Sequence, residues 1–170
     1  FNGMDSFTYL GRDADDSAPV MVMININALN DAPRGQPDSY TLNEDEPLTA
    51  DGNAPNPSLL VENDVEPDGD NFTVLAQGNT PFVQPQHGTV QIFNNGQFTY
   101  TPQANYHGPD SFSYKLKESG TPDNFLSDPI TVSLTIVPVN DKPTAGDDTY
   151  ATDEETALTD NVLTNDEDVD

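Results

Sequence analysis

The chain contains no cysteine, so neither a disulfide framework nor a thiolate metal site can hold it together. Basic residues are scarce: five lysines and arginines face thirty aspartates and glutamates, giving a net charge of −25. A field of that sign sets the chain against nucleic acid and against anionic membrane surfaces. No apolar run approaches the roughly 20 residues that cross a bilayer, so no membrane insertion is expected, and Phe1 does not open a signal peptide. Tryptophan is absent, which removes the commonest sugar-stacking side chain. Sustained apolar spacing of three and four is also missing, while fifteen prolines and eleven glycines punctuate the chain throughout, so helices are not expected.

What is present is a near repetition. NALNDAPRGQPDSYTLNEDEPLT at 27–49 returns as VPVNDKPTAGDDTYATDEETALT at 137–159. Asn30 and Asn140 are 110 positions apart, Asp5 and Asp110 are 105 apart, and Asn63 and Asn165 are 102 apart. Loop insertions vary the length while the frame persists, and a unit of this size is an ordinary domain. The expected organisation is the last part of one repeat at 1–33, a complete repeat at 34–143, and the first part of a third at 144–170. Two strands at the front and two at the back cannot bury a core alone. Either those ends fray, or neighbouring repeats of the same polypeptide or neighbouring identical chains complete them; a fragment of a longer polypeptide is the simpler reading.

The pattern is all-β. Residues 89–93 and 97–100 alternate around Asn94, Asn95 and Gly96, which accept positive φ, and predict a hairpin. Further strands are expected at 39–42, 59–61, 72–75, 110–116 and 130–137, about seven in the complete unit, packed as a two-sheet sandwich. Val132, Leu134 and Ile136 should share one face, as should Phe112, Tyr114 and Leu116. Asp5 and Asp110 are expected to fix a turn before their strand.

Acidic residues gather where units meet. The first set is Asn30, Asp31, Asp38, Glu44, Asp45, Glu46, Asp64, Glu66, Asp68 and Asp70. The second is Asn140, Asp141, Asp147, Asp148, Asp153, Glu154, Glu155, Asp166, Glu167, Asp168 and Asp170. Carboxylates crowded in turns repel one another unless a divalent ion sits among them, and oxygen-only donors suit Ca2+. Singly, each Asp also reads as a solvated or Asx-turn residue. NDVEPDGDN at 63–71 imitates an EF-hand loop up to Gly69, but Leu75 stands where the bidentate glutamate belongs, and a strand follows. His87 and His107 lie far apart and, without cysteine, make a poor zinc pair. No nucleophile elbow, HExxH or phosphate loop appears, so the chain does not read as an enzyme.

The order of NDAP and NDKP, PDSYTLNEDEPL and DDTYATDEETAL, VENDVEPDGDNFTV, HGTV, GQFTYTP and YHGPDSFSY resembles the bacterial cadherin-like and Ig-like tandem repeats of large secreted adhesins, RTX and VCBS-type surface proteins. The resemblance covers essentially the whole chain. It implies β-sandwich beads joined at calcium-stiffened junctions, secreted or on the bacterial cell surface, serving adhesion or a surface filament. By position it implies metal ligation by Asn30, Asp31, Asp38, Glu44, Asp45, Asp64, Asp68 and Asp70. The second-copy matches are Asn140, Asp141, Asp147, Asp148, Asp153, Glu154, Asp166, Asp168 and Asp170. Lys142 departs from the first junction's pattern and opposes a cation at the second. The alternative is a carbohydrate-binding module for cell-surface polysaccharide, with Phe82, Tyr106 and Phe125 as the candidate aromatics.

Overall fold

In the computed structural model, which describes residues 2–120, 122 and 124–169, alternation of apolar and polar side chains yields ten strands and, among those residues, no helix. Strands β1 (Gly3–Tyr9) and β2 (Val20–Ile26) form an antiparallel hairpin of their own. The other strands are β3 (Asp38–Asn43), β4 (Leu48–Ala50), β5 (Asn71–Val74), β6 (Gly88–Ile92), β7 (Phe98–Pro102), β8 (Gly108–Tyr114), β9 (Leu116–Ser119) and β10 (Ile130–Val137). One layer has the order β3-β10-β8, with β3 parallel to β10. The facing layer is β4-β7-β6, and β5 pairs with β9. Phe98 on β7 meets Tyr40 on β3 and Phe112 on β8 edge-to-face, with ring centroids 5.1 and 5.3 Å apart, so these rings join the layers.

The core runs from Leu42 to Ile136 and includes the expected inward faces of β8 and β10. Burying a side chain such as Phe112 or Leu134 is worth about 1.5–3 kcal/mol, and the partly buried Tyr40 packs against that core from just before it. The β6–β7 turn forms as expected, with Gly96 at φ 86° and the Phe93 amide donating to the Gln97 carbonyl.

Three expectations, the strands at 59–61, 110–116 and the two at the back, are corrected, and one strand, β4, was not expected. Residues 59–61 form a turn, not a strand: the Leu60 amide donates to Gly96 O and the Glu62 amide to Leu59 O, driving Leu60 into the core as a plug. The single strand expected over 110–116 divides at Lys115, whose carbonyl takes the Leu75 amide as the chain changes from β10's partner to β5's. Strand β4, only three residues long and opened by Pro47, is too short for alternation to reveal. Among the described residues, 144–169 contain no strand, only a bridge between Thr144 and Glu167. The ladder that orders β3 needs β10, and that segment has no counterpart beside it.

Candidate functional site

The acidic residues at the first junction separate into three groups. In the first, the linker preceding the core meets the 66–70 turn and β9. Asn30 donates from its carboxamide to Glu118 Oε2 at 2.8 Å, and the Asp31 amide donates to Asp68 Oδ2 at 2.6 Å. Glu66 shapes the turn from within, its Oε2 accepting the Asp68 and Asp70 amides, both at 2.8 Å. Gly69 lies at φ 83°, a conformation natural to glycine, and lets the turn close. Burial lifts the Asp70 carboxyl above its ordinary pKa, and repulsion from Glu66, Glu118 and Asp68 adds to the rise. Asn30, Asp31, Asp68 and Asp70 are thus brought together, with Glu66 and Glu118 among them.

Glu118 is 1% exposed, and the sequence carried a signal for it. The parity that turns Phe112, Tyr114 and Leu116 inward also turns Glu118 inward, so a carboxylate falls on the core side of a strand. Glu66 was legible as an acid inside the turn but not as its organiser.

Asp38 and Asp64 form a second, separate group around Tyr114. The Tyr114 hydroxyl lies 3.1 Å from Asp38 Oδ2, 2.9 Å from Asp64 Oδ2 and 2.9 Å from the Leu60 carbonyl. Having one proton, it can donate fully to only one of these acceptors. Burial, partly opposed by the Tyr114 bond and reinforced by Asp64, pushes the Asp38 carboxyl up to about 6; burial also raises Asp64, against the Gln36 amide and Tyr114. Asn63 donates to Asp38 Oδ1 at 3.2 Å.

The third group lies at the exit from the core. Glu44 is 3% exposed; its Oε1 accepts the Val139 amide at 2.8 Å, and its Oε2 is 3.7 Å from His107 Nδ1. Asp45, at φ 59°, accepts the Asn105 amide at 2.9 Å.

Several second-copy residues bond within 140–169. Asn140 donates to the Asp141 carbonyl, Asp147 accepts Asn165 through its carbonyl, and Asp148 accepts the Tyr150 hydroxyl. Asp166 accepts the Gly146 amide, and the Asp153 carbonyl accepts the Thr156 amide. Glu154 and Asp168 are exposed, and Asp170 lies outside the described residues.

The donors of the first group are all oxygens, which suits a hard cation. Glu66 Oε1 is a buried carboxylate oxygen with no hydrogen-bond partner among the described residues. Among those residues, no group of three or more His, Asp or Glu side chains is arranged to hold a metal ion. The donors fit Ca2+ by kind, as oxygens, and not by arrangement.

The chain from Asn30 to Pro138, which holds this group and the whole core, matches the bacterial cadherin-like domain. The chain belongs to that family. Cadherin-like domains generally bind Ca2+, are generally non-catalytic structural modules, and in bacteria are usually extracellular. No curated protein matches the chain at a significant level. Among the described residues no helix is long and apolar enough to cross a membrane.

The aromatics considered for sugar binding in this cadherin-like chain each have partners of their own. Lys115 Nζ sits 4.6 Å above the Phe82 ring. Tyr106 stacks on His87 at 4.0 Å with its hydroxyl on the Pro109 carbonyl. Phe125 is 40% exposed and takes part through its backbone, accepting the Glu118 amide.

Proposed function

We propose that this chain is a structural segment of an extracellular bacterial adhesin or surface filament, a rod of cadherin-like beads whose junctions are stiffened by Ca2+. The observation that carries the reading is the carboxylate crowding around the entry linker. Asp31, Glu66, Asp68, Asp70 and Glu118 meet where the linker enters the core, and beside burial the repulsion from Glu66, Glu118 and Asp68 is already felt at Asp70. Bound there, Ca2+ would supply positive charge that relieves this repulsion, drawing on the exposed Asp31 and Asp68 side chains to complete the oxygen set. Asn30 and the Asp31 backbone fix the linker on that side, so binding would favour one junction geometry over the many available to a loose linker.

Calcium titration by calorimetry, followed by X-ray scattering in Ca2+ and in EDTA, tests the reading. Saturable heat together with a longer maximum dimension in Ca2+ is the expected result. Absence of heat with superimposable scattering curves would overturn it.

A further inference from the structure

Charge is unevenly placed about the sandwich. Where β3, β8 and β9 carry an acid, at Asp38, Asp110 and Glu118, it falls on the core side of the strand. The outward positions of these strands and of β5 and β10 hold Ser, Thr, Asn, Pro, Val and Lys, with Ser39, Ser133 and Ser111 in one row across three strands. In a chain of net charge −25, none of those outward positions is acidic.

Two of the five basic residues stand on this flank, Lys117 on β9 and Lys115 at the joint between β8 and β9. Both are partly buried, and among the described residues neither ammonium makes an ion pair. Lys115 Nζ stands over the Phe82 ring, which is 52% exposed beside a hollow of about 270 Å3 bounded by Leu75, Gln77, Thr80 and Pro81. Lys117 faces Thr73 on one side and Leu126, 45% exposed, on the other. Residues two apart along a strand share a face and lie about 6.6 Å from each other, so one extended polymer can touch both ammoniums. The acids at the ends of β5 and β9 face elsewhere: Asp70 and Glu118 belong to the entry-linker group, where Glu118 Oε2 accepts Asn30.

We infer that this flank binds an acidic polysaccharide, a polymer of uronate sugars. Lys115 and Lys117 take its carboxylates, the Thr73 and Ser119 hydroxyls meet its hydroxyls, and the C–H faces of its rings lie against Phe82 and Leu126. An acidic peptide fits less well, because β9 is already paired with β5 on one side and with Leu126 on the other, leaving no open backbone edge there for an added strand. At physiological salt the remaining acids are damped beyond about 8 Å, whereas a carboxylate in contact with the two ammoniums keeps its attraction. The site is separate from the 66–70 turn and needs no Ca2+.

Calorimetry of the whole chain with polygalacturonate, in EDTA at physiological salt, tests the inference. EDTA removes any Ca2+ that could bridge acid to acid and keeps this outcome separate from that of the calcium reading. Saturable binding is expected, and it should be absent with the fully methyl-esterified polymer, which has the same backbone without the charge. Lys115→Gln and Lys117→Gln should each weaken binding several-fold, Lys117→Glu should abolish it, and Lys117→Arg should keep it. Lys142→Gln, on the exposed exit linker, makes the same change in net charge and should leave binding unaltered. Urea midpoints matching the parent show that the variants remain folded. No binding to polygalacturonate, equal binding to its ester or to polyglutamate, binding unchanged in both glutamine variants at 115 and 117, or an equal loss in Lys142→Gln would each overturn the inference.

Discussion

Asp38 should make this protein more stable as pH falls from neutral towards 4, the reverse of ordinary acid destabilisation. Its carboxyl sits between Tyr114 and Asp64 and is raised from an ordinary 3.8 to about 6. The folded state thus binds the proton more tightly than the unfolded chain. Below pH 4 both states are protonated and the group's contribution is at its most favourable; stability is lost as pH rises through the folded value, near 6. A rise from 3.8 to about 6 converts to about 3 kcal/mol at 1.36 kcal/mol per unit. Asp38 is half-exposed, so solvent screening reduces this to about 1.5 kcal/mol. Asp38→Asn removes the charge while leaving an acceptor for Tyr114, and a flip of the Asn63 carboxamide restores its bond. In EDTA at pH 7 the variant should be the more stable by about 1.5 kcal/mol, or roughly 6–12 °C in Tm for a unit of this size. The advantage should vanish by pH 4. Urea unfolding at closely spaced pH values measures both, and comparison at each pH cancels the general relief of charge repulsion. A variant less stable than the parent at pH 7, or an advantage that does not change between pH 7 and 4, would refute the reasoning.

Asp70→Asn should raise Tm in EDTA, because a carboxylate repelled by Glu66, Glu118 and Asp68 is lost, and should shrink the Tm rise produced by Ca2+ several-fold; thermal scans with and without Ca2+ read both signs. Gly88→Ala should cost about 2–3 kcal/mol in urea unfolding, since a Cβ there would lie 2.6 Å from the Thr101 carbonyl oxygen and from the Tyr100 ring; a cost under about 0.5 kcal/mol would mean that the β6–β7 backbone yields freely. Tyr100→Phe removes a buried 2.8 Å hydrogen bond to Asp110 Oδ2 and should cost about 1.5–3 kcal/mol by the same measurement. Burial alone would raise Asp110, but the Gln86 amide, the Tyr100 hydroxyl and the His87 and Ser111 amides together hold it below its ordinary pKa. Its protonation should therefore destabilise the fold only below the usual carboxylate range, outside the window in which Asp38 acts.

The motifs that pointed to the family have physical reasons of different kinds. HGTV needs its glycine because Gly88 passes against the Tyr100 ring and the Thr101 backbone. YHGPDSFSY needs its aspartate because Asp110, only 9% exposed, accepts three backbone amides and a tyrosine hydroxyl, anchoring the 86–87 segment to the start of β8. The expectation that Asp110 fixes a turn before its strand is corrected: it lies inside β8, and its carboxylate holds the distant 86–87 backbone as well as the Ser111 amide. Apolar alternation marked β8 and β10 because each buries one face; it could not mark β4, which has three residues, or the Leu60 plug, whose burial comes from a turn. Counting carboxylates located the junction but could not divide it. Asp38 and Asp64 lie beside Asp68 and Asp70 in pattern, yet Tyr114, 50 positions on from Asp64, draws the first pair into a network of its own.

That division changes how the junction can transmit orientation. The entry linker is tied by Asn30 to Glu118 on β9, and the exit linker by the Val139 amide to Glu44, just beyond β3. Both glutamates are almost fully buried, a placement that is costly for a carboxylate without partners and is offset here by bonds to the linkers themselves. The Glu44 amide also donates to the Val137 carbonyl at 2.9 Å, so one residue holds the exit strand and the linker after it. β3 and β9 belong to a single packed core, and a linker held at each end of that core cannot turn freely about it. A cation at the Asp31, Glu66, Asp68 and Asp70 group would then fix only the joint outside the entry clamp, the part that the buried glutamates leave to the exposed acids. On the proposed reading, stiffness in the absence of Ca2+ would reside in Glu44 and Glu118, and any increment from Ca2+ would reside in the 66–70 turn.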